Sequence, residues 1–149
     1  MKIFTPTDPP VKGSCRSIFF ITRNDDSKGR VVQEIREFIN DNNGTIDFRQ
    51  VRTLAYDTKG NRLQSVFERD TNNDGTPETV EVHASEYDRR GNEVRLVVEI
   101  DTNNDGTVDI SRVFTSEFDK KGNLVQGVIE NDFDADDTPD SLSTRVLTY

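Results

Sequence analysis

Two short motifs recur together along this chain at a fixed spacing, and that spacing restricts the fold more than any other feature of the sequence. YDTKGN begins at Tyr56, YDRRGN at Tyr87 and FDKKGN at Phe118, each 31 residues after the last, and a degenerate copy, DDSKGR, starts at Asp25 in the same register. A second landmark keeps the same step: DTNNDGTPE from Asp70, DTNNDGTVD from Asp101 and DFDADDTPD from Asp132. The matching stretch of the first unit, INDNNGTID, is led by Ile39 rather than an acid. A fixed period of this length means one supersecondary unit repeated along an array.

The segments between the landmarks read as strands. EVRLVVEI (Glu93 to Ile100) and DISRVFTSEF (Asp109 to Phe118) are rich in β-branched and aromatic residues, the types that fit a pleated, half-buried surface. Val94, Leu96, Val98 and Ile100 alternate, whereas Val66, Val97 and Val128 share a position of opposite parity. That parity implies either a bulge or a sheet with apolar residues on both faces. Lys-Gly-Asn and Arg-Gly-Asn after Asp supply the positive-φ residue of a tight hairpin turn.

Each unit is therefore strand, acidic loop, return strand, tight turn. Residues 1–16 are expected to form a poorly structured extension, and 17–149 a single repeat domain. Its parts are a half unit at 17–24 and full units at 25–55, 56–86, 87–117 and 118–148. The expected fold is all-β, an antiparallel up-and-down meander of about nine strands, either an open twisted sheet or one rolled into a barrel. Every acidic loop must then emerge at one end and every Gly-Asn turn at the other.

The loops carry the chemistry. Calcium takes six to eight oxygen ligands from a tightly curved backbone. A D-x-[DN]-x-[DN]-G loop meets this with side chains at positions one, three and five, a carbonyl at seven and a further oxygen at nine. The second unit offers Asp70, Asn72, Asp74, the Thr76 carbonyl and Glu78, and the third offers Asp101, Asn103, Asp105, the Thr107 carbonyl and Asp109. The fourth offers Asp132, Asp134, Asp136, the Thr138 carbonyl and Asp140. About three calcium sites are expected. At position twelve, Glu81 supplies a carboxylate in the second unit, but Arg112 and Ser143 stand there in the third and fourth. Those loops must be completed by water, a backbone oxygen or a neighbouring carboxylate such as Glu99 or Glu130, which suggests affinities on the order of 10⁻⁴ to 10⁻³ M.

Asp, Asn and Gly are also the ordinary vocabulary of turns. A metal-free turn, however, explains poorly why like charges gather in each loop with no basic partner. Magnesium prefers fewer protein ligands, and zinc is disfavoured by a single histidine and a single cysteine. Cys15 allows no disulfide framework. His83 reads as a strand surface residue.

Net charge is −9, and no basic stripe is visible, which excludes nucleic acid as an expected partner. No apolar run long enough for a leader or a membrane span is expected either. Only 32% of residues are hydrophobic while 32% are charged, a thin supply for a core. No nucleophile and base constellation is present, and Glu86 with Asp88 reads as strand-end surface, so no enzyme is expected.

The acidic loops, in the pattern D-x-[DN]-x-D-[GD]-T-x-[DE], resemble those of thrombospondin type 3 repeats and EF-hand-like calcium loops. The YDxxGN segments resemble the YD repeats of bacterial Rhs-type surface proteins. Together they resemble bacterial secreted or surface repeat proteins over roughly residues 25 to 149. The resemblance implies calcium-dependent folding and an extracellular or cell-surface setting. The expected function is a non-enzymatic structural or adhesive repeat module, with a protein or surface partner. Two alternatives remain: a small-ligand-binding β-barrel, and a fragment of a larger surface or toxin repeat protein.

Overall fold

The computed structural model describes residues 2–4, 18–39 and 45–148. They form one antiparallel sheet in simple chain order. Its strands are β1 (Lys2–Phe4), β2 (Ile18–Asp25), β3 (Val31–Ile39), β4 (Phe48–Tyr56) and β5 (Arg62–Asp70), followed by β6 (Thr79–Tyr87), β7 (Glu93–Asp101), β8 (Ile110–Phe118), β9 (Leu124–Asp132) and β10 (Ser141–Val146). The nine expected strands are β2 to β10. A tenth, β1, lies inside the expected N-terminal extension and pairs Ile3 with Ile21. The rest of that extension, with Cys15, lies outside the described residues.

Among the described residues β1 and β10 do not pair, so the sheet is open. The barrel expectation is thereby corrected, and the ligand-holding lumen with it. Uninterrupted hairpins bring each strand beside its sequence neighbour, but nothing here brings the first strand round to the last.

Register shows why the apolar parity was mixed. Val66 pairs with Val82 and Val97 with Ala84 and Val113 on one face. Leu96, Val98 and Ile100 pair with Phe114, Arg112 and Ile110 on the other. Both faces carry apolar rows, and the register shifts fall elsewhere, at Asn24/Asp25, Ala55/Tyr56, Glu86/Tyr87 and Glu117/Phe118, next to the tight turns.

A single layer with two wet faces leaves little fully enclosed. Among the described residues the buried apolar side chains are Ile39, Val51, Leu54 and Val98. Cohesion must come largely from half-buried cross-strand contacts, each worth about 0.2–1 kcal/mol. Phe38 is the densest of these, with ring centroids 4.7 Å from Phe19 and 5.1 Å from Phe48.

Candidate metal centres at the loop end

The tight turns and the acidic loops sit at opposite ends of the sheet and hold their carboxylates differently. In the turn after β4, Asp57 Oδ1 accepts from the backbone N–H of Lys59 and of Asn61, both at 2.8 Å, and Oδ2 accepts from Asn61 Nδ2 at 2.8 Å. Asp88 and Asp119 repeat this set with Asn92 and Asn123. In the first unit Arg30 takes the place of that Asn, with Nε 2.7 Å from Asp26 Oδ2. Gly60, Gly91 and Gly122 adopt φ of 100°, 91° and 87°, as the three-residue hairpin turn requires.

The acidic loops share one scaffold. Position one accepts from the N–H of position six: Gly75 to Asp70 and Gly106 to Asp101 at 2.9 Å, Asp137 to Asp132 at 3.1 Å. Position nine reaches back to position two: the N–H groups of Thr71, Thr102 and Phe133 donate to Glu78, Asp109 and Asp140, each at 2.7 Å. Position five accepts from the N–H of position seven, Thr76 to Asp74, Thr107 to Asp105 and Thr138 to Asp136, at 2.8–2.9 Å. Asn72 and Asn103 each accept from the N–H two residues on. Tying carboxylate oxygens to loop N–H groups curls the chain, but the acids at positions one, five and nine of the second and third loops do not draw into one close group.

Some oxygens are left over. Asp70 is 5% exposed, yet its Oδ1 is buried without a hydrogen-bond partner. Asp132 Oδ1 is likewise buried and unpartnered. Each lines a small cavity on the same face of the sheet, one of about 80 Å³ with Glu68 and Gly75, the other of about 150 Å³ with Glu130 and Asp137. An orphaned buried carboxylate oxygen is costly unless something cationic meets it. Loop three is more self-sufficient: Asp101 Oδ1 accepts from Asn103 N–H at 3.2 Å, and Asp105 Oδ2 from Asn103 Nδ2 at 3.1 Å.

In the fourth loop Asp132, Asp134 and Asp136 offer oxygens within 4.8 Å of one another, a grouping able to hold a metal ion. The Asp136 charge beside Asp134, with Asp140 adding to it, pushes the Asp134 carboxyl above its ordinary range. Asp136 itself is held low by the Thr138 hydroxyl and N–H, as Asp105 is by those of Thr107. Asn at position three of the other two loops spares them this repulsion.

Glu81 does not join the second loop. It lies within β6 opposite Phe67, and its carboxylate meets His83 Nε2 at 2.5 Å and Arg69 at 3.9 Å. A strand that leaves the loop straight carries position twelve away from the centre, whereas a helix would bring it round. Of the two outside donors considered, Glu130 lines the cavity under its loop. Glu68 holds the equivalent place under the second loop, and its repeat spacing from Glu99 and Glu130 was the signal that could have shown it. Also unforeseen are the left-handed residues at position four, Asn73, Asn104 and Ala135, with φ of 51–55°. Of the first loop, residues 40–44 lie outside the described residues; Asp47 N–H bonds Phe38 O at 2.8 Å, as Asp109 N–H does Ile100 O.

Neither the protein-family models nor the curated proteins contain a match to this chain. No helix among the described residues is long and apolar enough to cross a membrane.

Proposed function

We propose that this chain is a non-enzymatic calcium-binding repeat module with a structural or adhesive role outside the cell or at its surface. The observation that carries the reading is the buried, unpartnered Oδ1 of Asp70, set in an oxygen-rich loop that recurs in register. Calcium is the cation such a set suits: hard, tolerant of irregular shells and content with carbonyls and water. In the second loop it would be held by Asp70, Asn72, Asp74, the Thr76 carbonyl and Glu78, with Glu68 or water in place of Glu81. In the third and fourth loops the corresponding residues would serve, Glu130 assisting the last.

The physical role is tension relief. The loop end gathers acids from three loops while the described sheet encloses few apolar side chains, so self-repulsion weighs heavily against a thin core. Ion binding to the folded form alone adds about 2.7 kcal/mol per loop at a hundredfold excess over Kd. A surface or protein partner would then meet a sheet made rigid by the ion concentration outside the cell.

The test is a thermal melt of chelator-stripped protein, alone, with millimolar calcium and with millimolar magnesium. A large calcium-specific rise in Tm is expected. An unchanged Tm, or an equal rise with magnesium, would sink the proposal.

A further inference from the structure

The repeat supplies its own control for which residues the sheet needs. One cross-strand row runs through Arg23, Glu34, Arg52 and Phe67. Two strands further on the same positions hold Leu54, Ser65, His83 and Val98, and two strands beyond that Ser85, Leu96, Phe114 and Ile129. The last of these rows holds no ionisable group, so an uncharged row satisfies this fold. The charges in the first row need another reason, because buried charge is costly wherever an apolar residue would serve.

The arrangement of those charges supplies one. Glu34 is 7% exposed, and its two oxygens are gripped by separate guanidinium groups, Arg23 Nε at 2.6 Å and Arg36 Nε at 2.7 Å. Burial pushes the Glu34 carboxyl up, but those two hydrogen bonds and charges outweigh it and hold it low. Its acceptor capacity goes to fixing those arginines. Arg52, opposite Glu34 in the register, gains nothing from it: its guanidinium lies 4.9 Å from the Phe67 ring centroid and its Nε–H is buried with no acceptor. Among the described residues neither Arg52 nor Arg62 has a carboxylate within 4 Å.

Arg23, Arg52 and Arg62 surround an open depression of about 460 Å³ whose other walls are Val31, Leu54, Tyr56 and Glu34. Three arginines thus line one depression with a single, already committed carboxylate, in a protein whose net charge is −9. Guanidinium groups recognise planar or tetrahedral oxyanions by paired hydrogen bonds. The side chains of Val31, Leu54 and Tyr56 offer an apolar floor to whatever carries the anion. Tyr56 is itself fixed, its hydroxyl donating to Val31 O at 3.1 Å.

We propose that this depression binds a small organic oxyanion, a carboxylate or phosphate on an apolar or ring body, with Arg52 and Arg62 as its principal donors. Arg23 is a third donor, oriented by Glu34. The site lies on the turn-side half of the sheet and is independent of the acidic loops.

The experiment is calorimetric titration of the calcium-saturated full chain with phenyl phosphate, benzoate and inorganic phosphate at constant ionic strength. Saturable binding of an aromatic anion is expected, weakened about tenfold by loss of one charge-assisted donor in Arg52→Gln and Arg62→Gln. Arg112→Gln, far along the sheet, is expected to bind as the parent does. Whichever aromatic anion binds more tightly identifies the head group. Absence of saturable binding by either, or affinity unchanged in both Arg52→Gln and Arg62→Gln, overturns the site. Inorganic phosphate bound as tightly as phenyl phosphate overturns the apolar floor. Should Arg52→Gln fail to fold, judged by its melt, Arg62→Gln carries the test alone.

Discussion

The two ends of this sheet are built from the same residue types, Asp, Asn, Gly and Lys or Thr, yet they use their carboxylates to opposite purposes. In the tight turns one Asp receives two backbone N–H groups and an Asn amide, and nothing is left over. In the loops at least three acids crowd one curled segment, those at positions one, five and nine with an oxygen tied to a loop N–H, and Asp70 and Asp132 keep a buried oxygen with no donor. A turn that satisfies its own acid is complete. A loop that concentrates acids and orphans some of their oxygens leaves acceptors that the protein itself does not satisfy. Motif spelling does not separate the two cases; the count of acids against donors does.

The same substitution made at both ends gives the sharpest break. Asp70→Asn removes the buried charge but keeps an acceptor for Gly75, so in chelator the Tm is expected to change little. In calcium it should lose one site's linkage, about 2.7 kcal/mol at a hundredfold excess of ion. Asp88→Asn instead turns an amide against Asn92 Nδ2 and should lower Tm by about 2–5 °C, equally in calcium and in chelator. Paired melts of both variants read this directly, and calcium-dependence at Asp88 would erase the distinction.

Backbone conformation separates the ends by a smaller amount. Gly91 has φ of 91° and open space around its missing Cβ, with Asn61 Oδ1 at 3.8 Å the nearest atom. Gly91→Ala should therefore cost about 1–2 kcal/mol through the left-handed backbone alone. The fourth loop makes the reverse change in nature: Asp137 stands at φ of 70° where Gly75 and Gly106 stand in the others. Asp137→Gly should gain about 0.5–1 kcal/mol in a denaturant titration without calcium.

Much of this was legible in the sequence, for identifiable reasons. Strict spacing of Gly60, Gly91 and Gly122 and of Gly75 and Gly106 fixed the hairpin order, and with it the segregation of loops and turns. The open edge was not legible, because closure depends on accumulated twist and shear, which no local motif encodes. Nor was the true place of Glu81: position twelve carries meaning only when a helix follows the loop. The Arg23–Glu34–Arg36 cluster was hidden for a different reason. Its members come from neighbouring strands, and only the register puts them side by side.

Acidity separates the ends last and most gently. The Asp88 carboxyl is held below its ordinary 3.8 by the Asn92 side chain and N–H, and Asp119 by Asn123. Burial raises Asp57, but its bonds from Asn61 outweigh this and leave it low as well. A carboxyl lowered on folding stabilises the fold above its unfolded pKa, and that contribution is lost as pH falls through the folded value. The turn end should therefore weaken only below about pH 4. Asp134 runs the other way, raised by Asp136 and by burial. The folded form then holds its proton more tightly than the unfolded one, so the contribution of Asp134 to calcium-free stability falls as pH rises from 3.8 through the higher folded value. In a calcium-free series from pH 3 to pH 6, Asp134→Asn should remove that decline and leave the acid limb of the turns intact. With calcium present the ion competes with the same proton, so the fourth loop should be the first to release its ion on acidification. A fourth loop that keeps calcium to lower pH than the second would show that the Asp132, Asp134 and Asp136 grouping is not its binding centre.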